Sequence, residues 1–184
     1  MAAYLLDTDV LSELMAAPSR TRRKKIVEWL RSLGDVSVML SSVSISEINR
    51  GIALLEARNP RAAEALSQAL GGIISLYEDA VLTPSHAEWQ SFAKLSAMPE
   101  LRHLCRGKNE RDQPRTGADV FLAVQANGIA TAIATLNSKD FVTIDRHMPI
   151  VGGIVDPLSG IWVRQPDSSS GAELQHRSIG DTIV

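Results

Sequence analysis

Acidic and amide residues recur in this sequence where an apolar stretch ends or a helix begins. Asp7 follows a short apolar run, and Asp9 lies two residues later. Glu47 and Asp119 each lie in the first turn of a predicted helix, and Asn137 follows another apolar run. Several acid or amide groups that converge would repel one another unless a cation lies among them. These residue types therefore indicate a site for a cation.

Each acid also has a purely structural interpretation. Asp is a favoured N-cap residue, a role that Asp9 fits well and that Asp7, one or two residues too early, fits less well. Two further pairs have the spacing of a capping box, Ser44 with Glu47 and Thr116 with Asp119. Taken singly, the caps are serious alternatives. Taken together they are weaker, because one cation could account for all the acids.

The composition is that of an ordinary globular protein. The 184 residues are 45% hydrophobic but only 4% aromatic, so we expect one domain whose core is mostly aliphatic. A net charge of −2 gives no global attraction for nucleic acid. The single cysteine, Cys105, excludes an internal disulfide, and His103 beside it lacks the partner spacing of a zinc site. No leader peptide and no membrane-length apolar run is present, so we expect a cytoplasmic protein.

Strands and helices alternate along the chain. Beyond the run before Asp7, strands are predicted at residues 36–43, 80–83, 129–134 and 150–155, with helical patterns between them. This order predicts an α/β fold with a mainly parallel sheet and helices on both faces. The carboxyl ends of parallel strands form one edge of such a sheet, where ligands bind. We therefore expect the acids to meet at that edge.

The remaining segments carry weaker signals. Residues 98–115 are irregular and predict a mobile loop with a modest positive excess. The basic run 20–25 is either a solvated helix start or a contact for RNA or a partner. Trp89 and Phe92 have the spacing of core residues rather than of a stacking surface. We predict a domain over residues 1–160 and a polar, flexible tail over 161–184.

Segments 5–10, 45–51 and 117–123 resemble the three acidic motifs of PIN-domain ribonucleases, and segment 134–141 resembles the fourth. The nearest likeness is to the VapC/FitB type of toxin from bacterial toxin–antitoxin operons. The resemblance covers roughly residues 4–158. Two departures stand out, since the family usually has Asn where this chain has Asp9, and an acid where it has Asn137.

The resemblance implies a three-layer PIN-like fold and metal-dependent hydrolysis of RNA phosphodiester bonds. Asp7 and Asp119 would hold Mg²⁺ or Mn²⁺, Glu47 would hold a second ion or orient water, and Asn137 would fix a water. Asp140, three residues after Asn137, is the alternative fourth site residue. The implied partners are an RNA substrate, a cognate antitoxin and a second copy of the chain in a homodimer.

Two other functions fit parts of the sequence. Asp7 and Asp9 also match the first motif of haloacid-dehalogenase-like phosphatases, with Lys139 as the later lysine, but no convincing acidic pair follows it. A binding module with an acidic pocket and no catalysis is the non-enzymatic alternative, suggested by Asn137.

Overall fold

Six strands form the central sheet in the computed structural model, which describes residues 3–106 and 116–167. The strands are β1 (Ala3–Leu6), β2 (Ser37–Ser41), β3 (Val81–Leu82), β4 (Ala132–Ala134), β5 (Ile154–Asp156) and β6 (Ile161–Arg164). Their order in the sheet is β3-β2-β1-β4-β5-β6, and every neighbouring pair is parallel except β5 and β6. The predicted α/β fold with a mainly parallel sheet is therefore confirmed.

Eight α-helices connect and flank these strands within the described residues. They are α1 (Thr8–Leu14), α2 (Thr21–Ser32), α3 (Ser42–Glu56), α4 (Pro60–Leu76), α5 (His86–Ala97), α6 (Arg102–Cys105), α7 (Ala118–Gly128) and α8 (Ser138–Asp145). Asn59 accepts a hydrogen bond from the Ala62 amide at 3.1 Å, and Pro60 opens α4, so the predicted Asn–Pro helix start is confirmed.

The sheet is covered on both faces. Successive side chains of a strand point to opposite faces, so Leu5 joins one core with α7 and α8, whereas Tyr4 and Leu6 join another with α1 to α4. This two-sided burial explains why β1 appears in the sequence as a continuous apolar run rather than as an alternating pattern. It also places the end of β1 at the centre of the molecule.

The strands before and after the last helix begin later than predicted. The segment 129–134 is strand only from Ala132, because α7 continues to Gly128 and Ala130 adopts a left-handed turn at φ 50°. The segment 150–155 is strand only from Ile154. There the chain passes so close to Thr131 that a Cβ on Gly152 would lie 2.0 Å from its carbonyl oxygen, so this approach requires glycine.

Two predicted boundaries also change. The strand β6 lies beyond the boundary predicted at residue 160, so the folded domain extends to at least Arg164. The predicted loop 98–115 contains α6, and Leu101 and Leu104 are both buried in the core, so its first part is ordered by packing. The rest of that loop, 107–115, and the predicted tail from residue 168 lie outside the described residues.

Within the part of the chain that the structure describes, no helix has both the length and the apolar character needed to cross a membrane.

Candidate active site

Asp7 lies at the end of β1 and is 3% exposed. Its amide donates to the Ala134 carbonyl at 3.0 Å, which extends the pairing of β1 with β4 by one residue. One carboxylate oxygen accepts from the Thr8 amide at 2.6 Å, and the other accepts from the Thr135 hydroxyl at 2.7 Å. Asp7 is thus the N-cap of α1, the role that we assigned preferentially to Asp9, which instead lies in the first turn.

Being a cap does not explain the burial of this carboxyl group. Burial raises the pKa of Asp7 well above its usual range, and the charge of Asp119 raises it further, with a smaller contribution from Asp9. The hydrogen bonds from Thr135 and Thr8 oppose this rise only in part. The structure therefore brings Asp7 and Asp119 together, in an arrangement that disfavours two negative charges unless a cation is present.

Glu47 lies on α3 and is oriented by two threonines from other parts of the chain. Its two carboxylate oxygens accept from the Thr8 hydroxyl at 3.0 Å and from the Thr116 hydroxyl at 2.6 Å. The predicted capping box of Ser44 and Glu47 is wrong, because α3 begins three residues earlier and Ser41 is its cap. Glu47 is consequently bound to the segments that carry Asp7 and Asp119 rather than to its own helix start.

The predicted capping box of Thr116 and Asp119 is also wrong. The N-cap of α7 is Gly117, with φ 77°, and no side chain caps that helix. A Cβ at Gly117 would lie 3.1 Å from both Cys105 Sγ and the Phe92 ring, so both conformation and space favour glycine there. The Thr116 hydroxyl is then available for Glu47, and Asp119 lies in the first turn of α7.

Asn137 follows β4 and precedes α8, as predicted, but its side chain does not cap the helix. Its Nδ2 donates to Asp140 Oδ2 at 2.9 Å, and its backbone amide donates to Thr135 Oγ1 at 2.9 Å. Since Thr135 also donates to Asp7, a chain of hydrogen bonds connects Asp140 and Asn137 to the buried carboxylate. Asn137 and Asp140 therefore act as a pair.

Three threonines that we did not predict as site residues hold the acids in position. Thr8 and Thr116 bind Glu47, and Thr135 binds Asp7. Thr8 follows Asp7, Thr116 precedes the motif segment 117–123, and Thr135 lies two residues before Asn137. This closeness to predicted site positions is the only sign in the sequence that the threonines have a role. A buried bond of 2.5 Å from the Ser41 hydroxyl to Gln125 Oε1 also connects the start of α3 to the last part of α7.

The other predicted charged features are explained structurally. Arg20 and Arg22 of the basic run pair with Glu13, and Arg23 donates to the Leu14 carbonyl. Three of the five basic residues in the run therefore hold the start of α2 against α1. Among the described residues, no three Asp, Glu, His or Cys side chains are grouped so that they could hold a metal ion between them.

Comparison with solved structures shows the same fold in toxin–antitoxin complexes. FitAcB from Neisseria gonorrhoeae is 25% identical, with a TM-score of 0.58 over 84% of this chain and 97% of that chain. VapBC-1 from nontypeable Haemophilus influenzae is 23% identical, with a TM-score of 0.50 over 78% and 93% of the two chains. VapBC2 from Rickettsia felis, bound to a promoter DNA fragment, is 16% identical, with a TM-score of 0.51 over 76% and 91%.

No protein-family model and no curated protein matches this chain. The likeness of fold extends over nearly the whole of the compared chains, and the four motif segments lie at or near the carboxyl edge of its sheet. In its fold and in the order of its motif segments, the chain resembles PIN-like proteins of the VapC/FitB type.

Proposed function

We propose that this protein is a divalent-metal-dependent endoribonuclease that acts as the toxin of a toxin–antitoxin pair. The observation that carries the proposal is the buried carboxylate of Asp7, beside the charge of Asp119, at the carboxyl edge of the sheet. A carboxyl group buried beside a second acid is a favourable place for a divalent cation, which would stabilise both charges. Strongly perturbed carboxyl groups of this kind concentrate at functional sites.

The donor set fits Mg²⁺ better than a cation that needs many carboxylates. Mg²⁺ is usually held by one or two carboxylates and keeps several of its waters, and Mn²⁺ favours the same oxygen ligands. Asp7 and Asp119 supply two carboxylates, whereas Glu47 is engaged by its threonines.

Each residue then has a distinct task. A bound divalent cation would supply positive charge that stabilises the phosphodiester transition state, and it would acidify water. Asp7 and Asp119 would hold that cation, and Thr135 fixes the direction of the Asp7 carboxylate. Glu47, which two hydroxyl groups hold, would orient the attacking water and accept its proton. The side-chain amide of Asn137, which Asp140 holds, would orient water at the same edge.

A pair of hydrolysis assays tests the enzymatic proposal. Cleavage of single-stranded RNA and of a small phosphomonoester is measured with Mg²⁺, with Mn²⁺ and with EDTA. We expect metal-dependent cleavage of RNA alone. Hydrolysis of the phosphomonoester would favour the phosphatase alternative, and inactivity toward both substrates would favour the binding module.

Asp119→Asn provides the decisive variant. It should abolish cleavage while leaving the protein folded, because Asn has nearly the same size and shape as Asp and removes only the charge of a partly exposed side chain. Asp79→Asn, at an exposed position distant in sequence from the motifs, is the matched control and guards against contaminating nuclease. Wild-type cleavage by Asp119→Asn would show that the site assignment is wrong.

The toxin role implies a protein partner. The structures that resemble this chain contain FitAB and VapBC complexes, so we propose a cognate antitoxin that covers the site, and a homodimer of the toxin. Expression of this chain alone should arrest growth, and co-expression of the adjacent open reading frame should relieve the arrest. Harmless expression of an active nuclease would contradict the toxin role.

A further inference from the structure

A groove opens directly beside Glu47. Its volume is about 410 Å³, and Glu47 and Thr116 line it together with Ser46, Arg50 and Trp89. Binding pockets for small ligands begin at roughly 300 Å³, so the groove has room for a nucleotide-sized group. Because two of its lining residues form the hydrogen bond that orients the site, any ligand in the groove lies next to the reacting group.

Trp89 gives the groove an aromatic surface. We predicted it as a core residue, but it is 51% exposed. The rest of the indole packs on Phe121, with ring centroids 4.6 Å apart, and against the edge of Phe92 at 5.9 Å. The ring is therefore held in place on one side and open on the other. A fixed, exposed indole is a suitable surface for stacking a nucleobase, since little side-chain freedom is lost on binding.

Arg50 adds a positive charge to the same groove. It lies on α3 one turn after Glu47, and one turn after Ser46 as well, so the three side chains share neighbouring positions on the helix surface. Arg50 is exposed. In a site whose other charges are mostly acidic, a guanidinium group favours a phosphate of the substrate backbone, and Ser46 can bond to a base edge.

We propose that this groove binds one nucleobase of single-stranded RNA beside the cleaved phosphate, with Trp89 stacked on the base and Arg50 contacting an adjacent phosphate. The inference rests on the proposed ribonuclease function and adds a substrate subsite to it. A base paired within a duplex cannot reach a stacking surface in a groove, so the subsite selects unpaired RNA. A second copy of the chain is the less suitable occupant, because a stable interface buries about 800 Å² per partner and is depleted of charge at its centre.

Steady-state cleavage of a short single-stranded RNA by the full chain tests the subsite. Trp89→Leu should raise KM roughly tenfold, the effect of losing one stacked base, while kcat changes by less than about twofold. Trp89→Phe retains an aromatic ring and should stay close to wild type. Leu76→Ala, at the exposed end of α4 and outside the groove, is the control for loss of an exposed apolar side chain.

Binding without turnover supplies an independent measurement. In the Asp119→Asn background, a fluorescein-labelled single strand should bind about tenfold more weakly after Trp89→Leu, and the same sequence in a duplex should compete poorly. Arg50→Gln should lower the slope of log affinity against log salt by about 0.7, the value for one phosphate contact to a single strand.

Tryptophan fluorescence keeps the test valid if Trp89→Leu fails to fold. Stacking of a base should quench Trp89, and Trp89→Phe should lose that quenching while still binding RNA, because Trp29 and Trp162 pack on Tyr4 in the other core.

Three results in a protein that cleaves RNA would overturn the subsite but not the ribonuclease function. They are an unchanged KM and an unchanged RNA affinity in Trp89→Leu, and an unchanged quenching by RNA in Trp89→Phe. A changed association state with unchanged RNA affinity would assign the groove to a second copy instead. A folded wild-type protein that neither binds nor cleaves RNA would overturn the ribonuclease function as well.

Discussion

At the scale of single residues, Asp7 carries the main electrostatic conflict of the molecule. Two of its hydrogen bonds favour the carboxylate, but burial and the charges of Asp119 and Asp9 outweigh them. The folded protein therefore binds this proton more tightly than the unfolded chain does. Between the usual carboxyl pKa of 3.8 and the raised pKa of Asp7, the folded state holds more protons. The free energy of unfolding must fall as the pH rises through that window.

Asp7→Asn should therefore stabilise the metal-free protein at neutral pH. Without the charge, the thermal midpoint in EDTA should rise by a few degrees, since 1 kcal/mol corresponds to about 2–4 °C in a protein of this size. The decline in midpoint from mildly acidic to neutral pH should become shallower. Thermal melts of both proteins across that range measure the effect, with Asp79→Asn as the exposed control. A lower midpoint for Asp7→Asn at neutral pH would mean that its hydrogen bonds outweigh its charge.

The threonine that binds Glu47 gives a second prediction at this scale. Thr116→Val keeps the shape of the side chain but removes the bond of 2.6 Å to Glu47, so kcat for RNA should fall about tenfold, as for other residues that orient a functional group. Thr116→Ser should restore activity. The midpoint should change little, because Thr116 is exposed. Thr143→Val, which loses only a bond to the Lys139 carbonyl within α8, is the control. Full activity in Thr116→Val would exclude an orienting role for the hydroxyl.

At the scale of elements, most of the functional side chains lie at helix starts. Asp7 caps α1 and Asp119 lies in the first turn of α7, whereas Glu47 lies further along, in the second turn of α3. The start of α8 has no side-chain cap, and the Asn137 side-chain amide there donates to Asp140 at 2.9 Å. The two residues lie three apart, so the helix start sets their distance.

Variants of this pair separate a functional role from a structural one. Asn137→Ala should lower single-turnover cleavage more than Asp140→Ala does, because Asp140 acts through Asn137. Asn137→Asp brings two carboxylates within hydrogen-bonding distance, so its midpoint should fall in EDTA and recover with Mg²⁺. Single-turnover rates and melts are measured on the same preparations. If Asp140→Ala is the inactive variant instead, Asp140 is the fourth site residue and the alignment of this motif is shifted by three positions.

At the scale of the whole molecule, the site joins segments from four separate parts of the chain. Bonds from Thr135 to Asp7 and from Thr116 to Glu47 cross 128 and 69 residues of sequence. Each bond forms only when the tertiary structure brings its two segments together. A ligand bound at this edge must therefore stabilise the entire fold, since the unfolded chain has no such site.

Millimolar Mg²⁺ or Mn²⁺ should raise the thermal midpoint of the wild-type protein. At one hundred times Kd the stabilisation is about 2.7 kcal/mol, which corresponds to roughly 5–10 °C. The Asp119→Asn protein should show a much smaller shift, which separates site binding from general salt effects. A wild-type midpoint that neither metal moves would count against a metal site of useful affinity.

Apart from α6 and β6, the sequence by itself determined the order of strands and helices, the parallel part of the sheet and the gathering of Asp7, Asp119 and Asn137 at or near its carboxyl edge. These follow from local information. A buried strand is a short apolar run, a helix start has a limited set of preferred residues, and parallel connections bring strand ends to one edge. The four motif segments are local patterns of the same kind, and their order along the chain also indicated the resemblance to a family.

Only the tertiary structure decided how those residues are held. The spacing of Ser44 and Glu47 is that of a cap, yet Glu47 binds Thr8 and Thr116, because α3 begins earlier and presents Glu47 to other segments. Trp89 has core spacing on α5, yet half of it faces a groove. Helical periodicity shows which side chains share a face but not what covers that face. Partners across a sheet depend on strand register and helix packing, and no local pattern encodes them.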